Sequence, residues 1–469
     1  MLNAMSSSHD VVVIGGGPGG YAAALYGAAA GLDVAVVEKQ KLGGTCLHVG
    51  CIPAKELLET ASVYRTVAHA DQFGIAAGTP TVDLGVAQAR KQKIVDQLHK
   101  GVGKLLEGRK VTVLDGWGTL GPDRSVSVSG GETGDATVTA DHVVLATGSV
   151  PRTLSGFEVD GERIMTSDEL LSITELPQRA AIIGGGAIGL EFASMLADLG
   201  SEVTVLEALP RILMGADDDV VKMLTRAFKK RKIEIRAGVA VSGCRNAGDG
   251  VELEIEGADP LSVDAVVVCV GRRPFTDGLG LDAAGVEVDD GGYVAVDQFC
   301  RTTAPGVYAV GDVVRTPQLA HVAFAEAILV VKHLLGESPA PVDYGNVPWA
   351  IYCHPEVAFV GHTEASAKEA GFEVVTSTHR FMGNGRAMIV GETDGLVKVI
   401  ADRDNNGTGG RILGVHMVGP WVTEQLGQGY LAVNWEATVP EVAEFIQPHP
   451  TMSELFGESV LALTGRALH

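Results

Sequence analysis

Cys46 and Cys51, in the stretch GGTCLHVGCIPAK (43–55), are the residues of this 469-residue chain best placed by type and spacing to do chemistry. The chain holds six cysteines, and the other four (Cys244, Cys269, Cys300 and Cys353) lie far from the pair and from one another. That is too few for a disulfide scaffold. No second close pair or His/Cys partner follows at zinc spacing, so no metal site is expected. Three readings stay open: a structural disulfide, two unrelated core thiols, or a redox-active dithiol. The N-terminal stretch MLNAMSSSHDVVVIGGG is polar, lacks an apolar core region and is not Arg-rich, so neither a secretory signal nor a mitochondrial transit segment is expected. No apolar run reaches the roughly 18 residues a membrane span needs. A cytoplasmic chain without membrane contact is the expectation. Among reduced cytosolic thiols a working dithiol is favoured over a structural disulfide.

A redox pair needs an electron donor, and the sequence offers two nucleotide units built on one plan. In the first, VVVI reads as a buried parallel strand, followed by Gly15, Gly17 and Gly20 in G-x-G-x-x-G spacing, an Ala-rich helix, and a second strand closed by Glu38. The first glycine permits the tight turn, the second lets a pyrophosphate approach the backbone, and the third lets helix pack on strand. The free N–H groups of the helix start then favour the anion. The plan recurs with Gly184, Gly186 and Gly189, closed by Glu207 at the same distance from the first glycine. A later strand repeats too, DHVVLATG (141–148) against DAVVVCVG (264–271). The first copy is the longer one, and its extra material begins with the cysteine stretch. The cysteines therefore belong to the first nucleotide's site. Two nucleotides and a dithiol suggest a relay in which a flavin takes a hydride from a nicotinamide and passes electrons to a disulfide. VYAVGD supplies a strand-end carboxylate, Asp312, for a flavin's sugar-alcohol chain; by itself it reads equally as an ordinary turn aspartate.

Composition agrees with a well-packed soluble protein of about three domains: hydrophobic residues make up 46 % and mean hydropathy is +0.21. The 61 glycines suit many tight turns and close backbone approaches. A formal charge of −22 argues against a nucleic-acid partner, which would need a basic face.

Taken together, GGGPGG with Glu38, GGTCLHVGCIPAK, ATGS, GGGAIGLE with Glu207, VGRRP, VYAVGD, HPEVAFVG and HPTMSE resemble the class I pyridine nucleotide–disulfide oxidoreductases over essentially the whole chain. Within them the chain looks most like the branch that oxidises dihydrolipoamide. The resemblance implies an α/β fold of two Rossmann-like dinucleotide-binding domains plus a C-terminal α+β dimer-interface domain. FAD would fill the first unit and NAD the second. Gly44, Thr45, Lys55, Gly118, Thr147, Gly148, Ser149, Asp312 and Ala320 would join the cofactor-binding set, with Gly271 beside them. Cys51 would be the thiol against the flavin and Cys46 the one that exchanges with substrate, in a redox disulfide. Lys55 would pair with Glu191 near the flavin. His449, held by Glu454, would act as base in the active site of the other subunit of a homodimer. Gln447 stands where that branch often carries another histidine, with little effect expected on chemistry.

Glu207 would accept from a free ribose hydroxyl and repel a phosphate, which favours NAD over NADP. The expected substrate is dihydrolipoamide, or lipoyl groups on partner proteins of a 2-oxo acid dehydrogenase complex. The alternatives are a glutathione- or mercuric-reductase-like enzyme, or chiefly an assembly subunit of such a complex. The tail SVLALTGRALH lacks the cysteine pair of the mercuric type, and an NADH oxidase or peroxidase usually relies on one active cysteine. Boundaries are placed at 1–150 for the FAD domain, 151–272 for the NAD domain, 273–345 for a segment returning to the flavin and 346–469 for the interface domain. ADRDNNGTGGRILG (401–414) reads as a hairpin.

Overall fold

The structure, a computed structural model, describes residues 6–132 and 134–468; the first five residues of the N-terminal stretch lie outside them. The chain gathers into two compact units, one of residues 1–57, 83–152 and 271–344, the other of 58–82, 153–270 and 345–469.

In the first unit the strand Ser6–Ile14 lies between Val34–Glu38 and Ala136–Leu145, parallel to both. Its VVVI run is buried on both faces, as a central parallel strand must be. Thr112–Asp115 adds a parallel edge beyond Val34–Glu38. On the other side Ser125–Ser129 and Trp117–Leu120 extend the sheet antiparallel. Residues 271–344 return to this sheet, where Val307–Ala309 pairs with Val143–Leu145. The helix Pro18–Ala29 opens with Pro at its first turn, where the missing N–H costs nothing. Its buried face is made of small residues (Gly19, Gly20, Ala23, Ala24 and Gly27), which lets neighbouring elements come close. A Cβ on Gly19 would lie 3.0 Å from Val310 Cγ2.

The second unit contains a five-stranded all-parallel sheet in the order Glu234–Ala237, Glu202–Glu207, Arg179–Ile183, Ala265–Val268, Ile164–Thr166. It also contains a five-stranded antiparallel sheet from Trp349–Ile351 to Gly409–Gly419. The helices Val422–Asn434 and Glu454–Ala462 cover that sheet over a core including Phe381, Val397, Val399 and Met417. The expected hairpin is present, Leu396–Arg403 turning into Gly409–Gly419. In its turn Asp404 Oδ1 accepts the amides of Asn406 and Thr408 at 3.0 and 2.7 Å. The fold class is the expected one: two Rossmann-like units and a C-terminal α+β domain. No helix among the described residues is long and apolar enough to cross a membrane.

Candidate active site

The two glycine loops repeat atom for atom. Gly15 (φ +104°) and Gly184 (φ +112°) turn in the left-handed region, where a Cβ would lie 2.4 Å from Ala146 O in one copy and 2.3 Å from Cys269 O in the other. A Cβ on Gly20 or Gly189 would strike the carbonyl of the first glycine, at 1.8 and 2.1 Å. Gly17 and Gly186 cap the helices that follow, and neither cap has a side-chain acceptor, so the helix N–H groups stay available to an anion. Glu38 Oε2 accepts Gly16 N at 2.7 Å and Oε1 accepts Gln40 N at 2.8 Å. Glu207 repeats both bonds, to Gly185 N at 2.6 Å and Leu209 N at 2.8 Å. Each acid is thus fixed at its strand end with lone pairs left for ribose hydroxyls. Cradles that a single methyl would fill, bare helix starts and fixed acids are what two dinucleotides require.

The copies diverge where the chemistry enters. In each loop the carbonyl of the middle glycine accepts one further amide, Gly43 N onto Gly16 O at 2.8 Å and Leu213 N onto Gly185 O at 3.0 Å. In the second copy that amide leads into the wall of a cavity. In the first it leads directly into the short helix Gly44–His48, which carries Cys46. Gly44 sits on the glycine loop so closely that its Cβ would lie 2.6 Å from Gly17 Cα. His48 Nε2 and His99 Nδ1 both approach Leu42 O at 2.9 Å and anchor the segment from behind.

Cys51 is the first residue of the helix Cys51–Ala68, where a thiolate gains from the helix dipole. The pair is in the dithiol form, and Cys46 shares a side-chain hydrogen bond with Cys51. That bond, then burial, then the charge on Cys51 push the Cys46 thiol well above its usual range, while Lys55 pulls weakly the other way. Burial, with a smaller push from the charges of the two thiols, raises the phenol of Tyr21 on the glycine-loop helix to about 12.

The ATGS segment and VYAVGD are bound to each other. Ser149 Oγ donates to Asp312 Oδ2 at 2.6 Å and accepts from Arg272 Nε at 2.7 Å. Burial raises Asp312 above the usual carboxylate range, against the pull of Ser149 and Arg272. Gly311 N, next to it, donates to Glu326 Oε2 at 2.6 Å, and Tyr344 Oη donates to Glu326 Oε1 at 2.9 Å. Thr147 Oγ1 donates to Phe275 O at 2.7 Å, and Gly148 O accepts Phe275 N at 2.9 Å. Thr45 lies within the Cys46 helix, Ala320 begins the helix Ala320–Leu334, and Gly271 (φ +99°) accepts Arg152 N at 3.0 Å. Gly118 faces the core: a Cβ there would lie 3.0 Å from Ile14 Cγ2 and 3.1 Å from Val37 Cγ1. Arg272 and Glu326 were not singled out from the sequence. Arg272 stood in the quoted VGRRP, and Glu326 is the lone acid of the apolar run AHVAFAEAILVV.

In the second unit Glu191, 4 % exposed, accepts Tyr352 N at 2.9 Å. A cavity of about 280 Å³ opens from Gly186 and Ala187 and is walled by Leu213, Met214, Trp349 and Phe359. Arg211, the cation following Glu207, donates to Ala216 O at 3.0 Å and Met214 O at 2.8 Å, so it pins the cavity wall rather than awaiting a phosphate. His449 Nδ1 lies 2.8 Å from Glu454 Oε1, whose other oxygen accepts Thr451 N at 2.7 Å. This holds one tautomer and leaves Nε2 as the basic atom. The His449 side chain is 78 % exposed. Lys55 and the cysteines belong to the first unit, Glu191 and His449 to the second. Among the described residues no His/Cys/Asp/Glu cluster could hold a metal ion.

A site of this build defines an oxidoreductase that joins a pyridine nucleotide to a dithiol, and comparison with known proteins supports it. Residues 9–327 match the family model described as pyridine nucleotide-disulphide oxidoreductase, and 347–460 match its dimerisation domain. The chain belongs to the pyridine nucleotide-disulphide oxidoreductase family. Within that family it is similar to the dihydrolipoyl dehydrogenase of Bacillus subtilis, 43 % identical over 99 % of this chain and 100 % of the relative. It is 40 % identical to that of Cupriavidus necator, over the same shares. Among solved structures it resembles LpdA from Mycobacterium tuberculosis, with TM-score 0.90 and 27 % identity over 97 % of this chain and 99 % of the other. It also resembles the HOCl-induced flavoprotein disulfide reductase RclA from Escherichia coli in its Cu(II) complex, with TM-score 0.87 and 28 % identity over 97 % and 99 %. FAD and NAD are the cofactors of the enzyme class to which these dehydrogenases belong.

Proposed function

We propose that this chain, as a cytoplasmic homodimer, oxidises dihydrolipoamide, free or carried on lipoyl domains of a 2-oxo acid dehydrogenase complex, and reduces NAD. The observation that carries the reading is the seating of the thiol pair directly on the first glycine loop, with Cys51 at a helix start and Cys46 on the short helix that the loop leads into. FAD, when bound in the first unit, supplies the two-electron carrier between the dithiol and NAD. Glu38 and the bare start of Pro18–Ala29 would hold its adenosine diphosphate, and Asp312, fixed by Ser149, would hold its sugar-alcohol chain. Glu207 and the start of Ala187–Asp198 hold NAD.

The thiol chemistry follows from the residues themselves. A thiolate of dihydrolipoamide attacks Cys46 Sγ in the oxidised enzyme. The Cys46–Cys51 bond breaks, a mixed disulfide forms on Cys46, and Cys51 leaves as a thiolate stabilised by the helix start and Lys55. The second lipoyl sulfur then attacks the first, closing lipoamide and releasing Cys46, which takes up a proton. His449 of the partner subunit accepts the lipoyl proton at Nε2, with Glu454 balancing the imidazolium. Exposure of His449 in the single chain, beside exposed Trp421, Trp435, Phe445 and Ile446, suits a base that meets its target across a dimer interface. The deciding assay compares dihydrolipoamide oxidation with NAD against NADH-driven reduction of glutathione disulfide and of Hg(II). Preferred turnover of either of the latter would overturn the reading.

A further inference from the structure

Lys39 follows the ribose-binding acid Glu38, yet it forms no ion pair with it. Its ammonium lies 4.3 Å from the centroid of the Trp117 ring and 4.4 Å from that of Phe275. The two rings meet edge to face, their centroids 5.8 Å apart at 72°. Each ring is itself tethered. Trp117 Nε1 donates to Gly278 O at 3.1 Å. Phe275 is held through its backbone by Thr147 at 2.7 Å and by Gly148 at 2.9 Å. One cation thus joins three segments distant in sequence: the strand end bearing Glu38, the strand bearing Gly118, and the return segment that grips Thr147 and Gly148. The same position in the second glycine unit is Ala208, and nothing comparable can form there. The clasp is a property of the first unit alone.

We propose that Lys39, Trp117 and Phe275 form a cation–π clasp that closes the adenosine end of the FAD site and sets how firmly FAD is retained. Lys39 acts as a positioning residue. Spread over two aromatic faces, its charge stays at the rim of an anion-binding loop without neutralising Glu38, which keeps both carboxylate oxygens on backbone amides and its remaining lone pairs for the ribose. Loss of the ammonium frees the strand end from the return segment while leaving the glycine loop and the cysteines as they are.

The test uses the FAD-loaded dimer, with FAD in the first unit as proposed above. Release of FAD is followed by the recovery of free-flavin fluorescence after dilution into dilute guanidinium. Two contacts of a partly exposed ammonium with aromatic faces correspond to about tenfold faster release in K39Q, and K39R, which keeps a cation over the rings, should stay within about twofold of the parent. Thermal unfolding with and without FAD separates retention from bulk stability: K39Q should lower the midpoint of the holo-protein by more than that of the apo-protein. Release at the parent rate, or equal lowering of both midpoints, would overturn the clasp. A K39Q protein that keeps FAD but binds NADH more weakly would overturn the placement of FAD in the first unit.

Discussion

Lys398 lies 3 % exposed within the strand Leu396–Arg403 and donates to three carboxylates: Asp217 at 2.9 Å, Asp219 at 2.7 Å and Glu364 at 2.8 Å. Replacing it with Met removes the only cation among the described residues that pairs with Asp217, which is 2 % exposed. Removing one partner of a buried ion pair costs about 3–5 kcal/mol, because the other charge stays buried without compensation. Asp219 and Glu364 keep 44 % and 34 % of their side-chain exposure, so water relieves them and the low end applies, about 3 kcal/mol. For a unit of this size that lowers the melting temperature by about 5 °C. The effect should depend on pH. Burial pushes Asp217 up, but the amide of Glu364 and the ammonium of Lys398 outweigh it and hold it below its usual value; Lys368 and Lys398 do the same for Glu364. With folded values depressed, their stabilisation is present above about pH 4 and is lost as pH falls through the folded values. The deficit of K398M is therefore at full size above about pH 4 and narrows as pH falls below that, through the folded values of these carboxylates. A second readout reaches the nucleotide. Asp217 N donates to His416 Nδ1 at 3.2 Å, and the His416 ring stacks on Phe359, a wall of the NAD-side cavity. KM for NAD should rise severalfold while kcat changes less. Thermal scans at several pH values and steady-state kinetics make the check. A loss under about 2 °C, or a deficit equal at pH 3 and pH 7.5, would contradict the prediction.

His416 itself, fully buried, is pushed by burial down to about 4, so the folded chain resists protonating it. Its contribution is fully present above the unfolded value near 6.5 and is lost as pH falls from there to about 4, roughly 3 kcal/mol in all; H416F should flatten that part of a stability–pH curve recorded by denaturant titration, and an unchanged slope would exclude the assignment. C51S should lose dihydrolipoamide oxidation while still passing electrons from NADH to a dye, measured in parallel assays; full lipoamide activity in C51S would sink the proposed scheme. H449Q should lower kcat with dihydrolipoamide by about 10²–10⁴-fold with the visible flavin spectrum intact, and E454Q should lower it less. The parent enzyme should favour NADH over NADPH in kcat/KM, and E207A should narrow the ratio; a parent that prefers NADPH would contradict the role of Glu207.

The parts of the site that were legible in the sequence are those set by local backbone demands. The turns at Gly15 and Gly184 forbid a side chain, and the closing acids sit at fixed distances from them, so spacing alone located both nucleotide units. Cys46 and Cys51 were legible because few other cysteines compete, but spacing could not say that Cys51 opens a helix or that the segment before Cys46 sits directly on the glycine loop. Arg272 and Lys398 escaped notice because their partners (Ser149 and Asp217) lie far away in sequence, and Glu326 because its bond to Gly311 forms only once the helix packs on the strand end. The trace that Glu326 and Lys398 leave is a charge in an apolar run, as in LVKVI, which marks a buried partner without naming it. Tyr21 escaped for another reason: a tyrosine in an Ala-rich helix reads as packing until the fold brings it to the thiols.

The central claim, electrons passing from dihydrolipoamide through Cys46 and Cys51 toward NAD, is tested most directly by anaerobic titration of the yellow holoenzyme with dihydrolipoamide while its visible spectrum is recorded. A long-wavelength absorbance band from the Cys51 thiolate beside the flavin is expected, followed by NADH formation when NAD is added. A flavin spectrum untouched by dihydrolipoamide, in an enzyme that NADH does reduce, would contradict it.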